Sequence, residues 1–151
     1  ACSRAELTGA IEGRGFSAQL ACEVVDRLEA VGLVDDQAYA DALVRARFAG
    51  SGASVRALRE LLVRKGLDAS TIECALSQID REDEVERAAQ LVERKRRALA
   101  GVPRDTAYRR LSSMLARKGY SPSVASAVVR EALDEWGDEG DHAQEEWQWG
   151  L

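Results

Sequence analysis

One phrase, a basic residue followed by Gly, a large apolar residue and Ser or Asp, occurs three times: Arg14-Gly15-Phe16-Ser17, Lys65-Gly66-Leu67-Asp68 and Lys118-Gly119-Tyr120-Ser121. The three glycines lie 51 and then 53 residues apart, so the chain reads as three copies of one helical unit. Each phrase is a helix stop followed by a helix start. The basic residue suits the negative end of the helix dipole, and Gly takes the left-handed conformation beyond the cap. The apolar residue then folds back on the helix just ended, and Ser or Asp caps the next one.

Helical periodicity fills the space between the junctions. Behind a capping box of Ser3 and Glu6, Leu7, Ala10 and Ile11 share a face; Leu20, Val24, Leu28 and Val31 form the next stripe, which Gly32 ends. A third helix starts at Asp36, carries Tyr39, Leu43 and Ala46, and stops near Gly50. The second copy shows Val55, Leu58, Leu61 and Leu62, then Ile72, Leu76 and Ile79, then a long helix from about Glu82 with Val85, Ala89 and Val92, ending near Gly101. The third has Tyr108, Leu111, Met114 and Leu115, followed by Pro122 at a first-turn position with Val124, Val128 and Ala132 behind it; its third helix is weak.

No stretch alternates as a half-buried strand would, so the fold class is all-α. The expected plan is three tandem three-helix repeats, at 3–50, 54–101 and 105–136, in an elongated, curved arrangement, with an acidic, Trp-bearing tail at 137–151 that is expected to be disordered. With aromatics at 5% of the chain the cores must be small, which favours cores in series and relative motion at 51–53 and 101–104.

The net charge of −5 averages over blocks of opposite sign. Residues 1–80 hold 9 Lys/Arg against 12 Asp/Glu, residues 81–133 hold 12 against 7, and residues 134–151 hold none against 7. Two runs form a basic belt: Arg45, Arg47, Arg56, Arg59, Arg64 and Lys65, then Arg94, Lys95, Arg96 and Arg97 with Arg104, Arg109, Arg110, Arg117 and Lys118. Helical spacing puts Arg56 with Arg59, Arg94 with Arg97, and Arg110 with Arg117 on common faces, and few carboxylates stand at the pairing positions along those helices. Such a belt favours a polyanion or an acidic protein groove, while the lack of interleaved aromatics disfavours a base-stacking platform. Over residues 134–151, the carboxylates and Trp136, Trp147 and Trp149 suggest a segment that folds back on the belt, with Trp147 or Trp149 docking between units.

Catalytic and metal chemistry find little support. Cys2, Cys22 and Cys74 form no Cys-x-x-Cys pair, and the sole histidine, His142, lies in the acidic tail. Cys22 and Cys74 fall within helical stripes and are expected to pack as small apolar residues. The odd cysteine count, with no signal peptide or long apolar run, points to a reduced cytoplasm. There is no phosphate-binding Gly-rich loop and no His-Glu-x-x-His, so neither an enzyme nor a cofactor is expected.

The stretch Ser3-Arg4-Ala5-Glu6-Leu7, the Arg14-Gly15-Phe16 junction and Val25-Asp26-Arg27-Leu28 leading to Val31-Gly32-Leu33-Val34-Asp35-Asp36 and Tyr39-Ala40 resemble the bacterial RecX regulators of RecA recombinase. So do Arg59-Glu60-Leu61 with Lys65-Gly66, and Leu115-Ala116-Arg117-Lys118-Gly119-Tyr120-Ser121. The likeness covers about residues 3 to 133 and is most specific at the Gly-Leu-Val-Asp-Asp turn. The Ala-, Arg-, Val- and Gly-rich composition has an actinobacterial character. The resemblance implies tandem three-helix repeats and a non-enzymatic monomer that lies along the RecA filament groove and limits its recombinase, ATPase and co-protease activities. In this reading the two basic runs meet the RecA filament, or single- or double-stranded DNA. Family members usually carry a further N-terminal segment, and the third copy here departs from the pattern by lacking a clear basic third helix. A helix, a Gly turn and a second helix also describe a helix-turn-helix DNA-binding or transcriptional regulator, which stands as the alternative.

Overall fold

A computed structural model describes the backbone of residues 1–149 and the side chains of residues 1–137. Among the described residues it is all-helical: α1 (Arg4–Gly13), α2 (Ala18–Ala30), α3 (Asp36–Gly50), α4 (Val55–Arg64), α5 (Ala69–Leu76), α6 (Arg81–Glu93), a 3-10 turn (Arg97–Leu99), α7 (Arg104–Arg117) and α8 (Pro122–Trp149). The fold-back expected of Trp147 and Trp149 lies outside the described side chains. The boundary expected at 136/137 falls within α8.

The repeated junctions are built as their chemistry requires. Gly15, Gly66 and Gly119 have φ of 94°, 77° and 94°. At the second, Gly66 N–H reaches Val63 O at 3.0 Å and Leu67 N–H reaches Leu62 O at 3.3 Å; at the third, Gly119 and Tyr120 repeat both bonds. These bonds satisfy carbonyls that a helix end leaves open. Ser3, Ser17, Asp35, Ser54 and Asp68 each accept an N-cap bond, and Ser3 with Glu6 completes the capping box.

The chain forms two compact units, residues 1–80 and 81–151. The division falls at Asp80/Arg81, not at 51–53 or 101–104. In the first unit, Ala40 and Val44 of α3 pack on Leu58 and Leu62 of α4 and on Ile72, Ala75 and Leu76 of α5. In the second, Ala88, Leu91 and Val92 of α6 pack on Leu111 and Leu115 of α7 and on Val124, Ala125, Val128, Val129 and Leu133 of α8. The three-helix groups are therefore α3–α5 and α6–α8, one helix out of step with repeats at 54–101 and 105–136. The spacing of the Gly junctions fixes a period of about fifty residues but not its phase. The junction turns out to join the second and third helices of each group, so α6 belongs with α7 and α8 and supplies the helix that the third copy lacked in sequence.

The same register explains an error on α2. Its expected stripe of Leu20, Val24, Leu28 and Val31 is largely exposed, at 41%, 37% and 70% for Leu20, Val24 and Val31, whereas Ala21 and Val25 are buried. Counting from the junction glycines, Phe16 and Val24 correspond to Leu67 and Ala75 and to Tyr120 and Val128. Those four are buried, because α5 packs on α3 and α8 packs on α6 as well as on the helix before the junction. The principal neighbour of α2 is α1 alone. Cys22 and Cys74 are also exposed, one position off the buried sets Ala21/Val25 and Ile72/Ala75/Leu76, which corrects their expected packing.

Within the first unit α1 is fastened to the end of α4. Ser3 Oγ, fully buried, donates to Lys65 O at 2.6 Å, and Lys65 Nζ lies 3.2 Å from Glu6 Oε2. The backbone N–H of Ser3 holds the Glu6 carboxyl below its ordinary pKa, with Lys65 and the Tyr39 hydroxyl adding to the effect. The Tyr39 phenol is pushed up by burial first and by Glu6 second. Arg4 holds Asp26 and, at 2.6 Å, Glu29, which ties α1 to α2.

Candidate polyanion-binding groove

The basic belt divides when folded. Its first run is largely engaged within its own unit. Arg59 makes two hydrogen bonds to Glu73 at 3.1 and 3.2 Å, Lys65 pairs with Glu6, Arg56 lies 3.8 Å from Glu60, and Arg45 donates to Gln78 at 3.2 Å. Arg47 and Arg64 are exposed elsewhere on this unit. The expectation concerned pairing along each cation's own helix; Glu6 and Glu73 reach the cations from other helices.

The second run converges. On α7, Thr106, Arg109, Arg110, Ser113 and Arg117 recur at three- and four-residue steps and share a face, while Ala107, Leu111 and Leu115 turn into the core. Lys118 caps the same helix. Arg94 and Lys95 occupy the turn that follows α6. Together these cations line an open groove of about 870 Å³ whose apolar lining comes from Leu91, Leu99, Leu111 and Met114. Among the described residues no Asp or Glu lines it, and Arg94, Lys95, Arg109, Arg110 and Arg117 make no ion pair. Arg96 and Arg97 stand outside the lining: Arg96 is 3.4 Å from Glu93 and lies over the Trp136 ring, and Arg97 sits on the 3-10 turn.

The groove is therefore a concentration of like charge whose mutual repulsion an anion would relieve. Guanidinium forks suit phosphate or carboxylate oxygens, and the apolar lining reduces screening beside them. The Thr106 and Ser113 hydroxyls can donate to the same oxygens, and sequence reasoning missed both; their spacing from Arg109, Arg110 and Arg117 was the signal. Among the described residues no aromatic side chain lines the groove to stack a base. Among the described residues no group of His, Cys, Asp and Glu could hold a metal ion, and no helix is long and apolar enough to cross a membrane.

This is an all-helical protein of tandem three-helix groups whose most concentrated charge is a groove lined by basic side chains. Two family profiles match it: the second three-helix domain of RecX over residues 35–76 and the third over residues 82–129. Both ranges follow the packed groups α3–α5 and α6–α8. A regulatory protein RecX of Streptomyces lividans is 46% identical over 144 residues, 95% of this chain and 77% of that protein. One of Mycolicibacterium smegmatis is 42% identical over 135 residues, 87% of this chain and 72% of the relative. The crystal structure of RecX from Lactobacillus salivarius superposes with a TM-score of 0.76 at 21% identity, covering 86% of this chain and 84% of that one, which supports the fold. The chain belongs to the RecX family, a family of regulatory proteins and not of enzymes.

Proposed function

We propose that this protein modulates RecA by lying along its nucleoprotein filament, and that it limits the filament's recombinase, ATPase and co-protease activities. Family membership supplies the partner. The observation that carries the site is the groove of Arg94, Lys95, Arg109, Arg110, Arg117 and Lys118, which gathers cations that can meet the phosphates of filament-bound DNA. Several modest contacts along a repetitive lattice add up to tight retention, so a wedge of this kind requires no deep pocket and no chemistry of its own. The protein works in the cytoplasm as a monomer.

The test is RecA-dependent ATP hydrolysis on single-stranded DNA, titrated with this protein. Hydrolysis should fall at amounts well below one protein per RecA, and an unchanged rate at excess would refute the proposal. A sequence-selective DNA reader, the alternative, would instead prefer one bare duplex over another and leave RecA untouched.

A further inference from the structure

We infer that Trp136 is a positioning residue for the basic groove: it holds the turn that presents Arg94 and Lys95 by gripping the side chains on either side of them. The inference rests on reading the groove as a phosphate-binding site. Helix α6 ends at Glu93, and the two cations stand on the turn beyond it, where Lys95 N–H bonds Val92 O at 2.9 Å and Arg96 N–H bonds Glu93 O at 3.1 Å. Such a turn frays unless something outside the helix restrains it.

Trp136 supplies the restraint from α8. Its Nε1–H donates to Glu93 Oε2 at 3.3 Å, and the Arg96 guanidinium carbon lies 5.8 Å from the ring centroid. Arg96 Nη1 closes the cluster on Glu93 Oε1 at 3.4 Å. The indole thus engages residues 93 and 96 with its edge and its face, and residues 94 and 95 are the ones between them that line the groove. The ring is anchored: it packs against the core of the second unit, and two residues before it Asp134 binds Arg104 at 2.6 Å. A ring placed only to fill space would need neither the N–H contact nor the cation over its face. The two polar contacts fall instead on the last residue of α6 and on the turn beyond it.

The experiment measures affinity for a fluorescein-labelled mixed-sequence DNA duplex by anisotropy over a range of KCl. If all six cations engage phosphates, log K should fall against log salt with a slope of about −5. Trp136→Ala should flatten that slope by about 1 to 2 and weaken low-salt binding at least about fivefold, since two contacts lose their placement. Trp136→Phe keeps the apolar packing and loses the donor, so it should move the slope the same way by less; it decides the matter if the alanine variant fails to fold. In a chain already carrying Arg94→Ala and Lys95→Ala, neither Trp136 substitution should change the slope further, because a ring with only a structural role would act regardless of those cations. A parental slope in the folded Trp136 variants, or their full effect persisting in the double-alanine chain, overturns the inference. Absence of salt-dependent binding by the parent itself would overturn the groove reading, and it is seen before any variant is compared.

Discussion

Replacing Gly66 by Ala should be more damaging than the same change at Gly15, and the structure separates the reasons. Both glycines have positive φ, 77° and 94°, so both substitutions place a Cβ in the left-handed region at a strain of about 1 to 2 kcal/mol. Losing a glycine also narrows the unfolded ensemble, which returns less than about 1 kcal/mol in either case and cancels in the comparison. At Gly15 the new methyl meets no atom within 4 Å, but at Gly66 it would stand 2.5 Å from Ala5 Cβ. Ordinary carbon contact begins about 1 Å further out. Helix α1 must therefore retreat, against the 2.6 Å bond from Ser3 Oγ to Lys65 O and the Glu6–Lys65 pair that hold it there. Overpacking of this sort costs about 1 to 3 kcal/mol, so Gly66→Ala should destabilise by about 2 to 4 kcal/mol against about 1 for Gly15→Ala.

The cycle with Ala5→Gly isolates the clash. Alone, Ala5→Gly weakens helix α1 by about 1 kcal/mol; combined with Gly66→Ala it removes the colliding methyl, so the pair should be more stable than additivity predicts by about 1 to 3 kcal/mol. Urea unfolding followed by far-UV ellipticity gives the four stabilities, and hydrogen exchange of the α1 amides shows where the loss falls. Equal costs at Gly15 and Gly66, with additive behaviour in the cycle, would refute the close approach of α1 to the second junction.

Three further outcomes follow from named contacts. Changing Arg94, Arg109, Arg110 and Arg117 together to Ala should flatten the salt dependence of DNA or filament binding by about 3 to 4 in slope, whereas Arg56→Ala with Arg59→Ala should leave it almost unchanged; fluorescence anisotropy against salt checks both. Because the folded Glu6 carboxyl titrates below its ordinary value of 4.5, its contribution is complete above that value and is lost as pH falls through the lowered one. Acid titration of stability should therefore be shallower below pH 4.5 in Glu6→Gln than in the parent. Cys2, Cys22 and Cys74 are all exposed, so a thiol reagent should modify all three in the native protein without waiting for unfolding.

Most of the helical plan could be read from local chemistry. The junction phrase, the caps and the all-α class depend on residues within a few positions of one another, and the chain reproduces them. What failed was assignment across distance. Period-based reading placed α6 with the helices before it, because no junction phrase stands between them. Packing placed it with α7 and α8, because Ala88, Leu91 and Val92 meet Leu111, Leu115 and Val129 there. On α2 the larger apolar residues suggested one stripe, but the buried positions are the neighbouring Ala21 and Val25.

The candidate site shows the same limit in electrostatic form. A cation's pairing along its own helix is visible in sequence, and by that measure the two basic runs looked alike. The carboxylates that matter lie elsewhere: Glu6 is 59 residues from Lys65, and Glu73 is 14 from Arg59. No spacing rule along one helix could have foreseen that these would compensate the first run. In the second run, Arg94, Lys95, Arg109, Arg110 and Arg117 make no ion pair among the described residues. The α7 face that carries Arg109, Arg110 and Arg117 looks across to the turn after α6, where Glu93, the acid preceding Arg94, is engaged by Trp136 and Arg96 outside the groove lining. With Glu93 held outside the lining, Arg94 and Lys95 stand beside the α7 cations in one groove. Local charge along the chain is thus a poor guide to surface potential in a protein built of short helices: which cations are compensated depends on carboxylates that other helices bring to them.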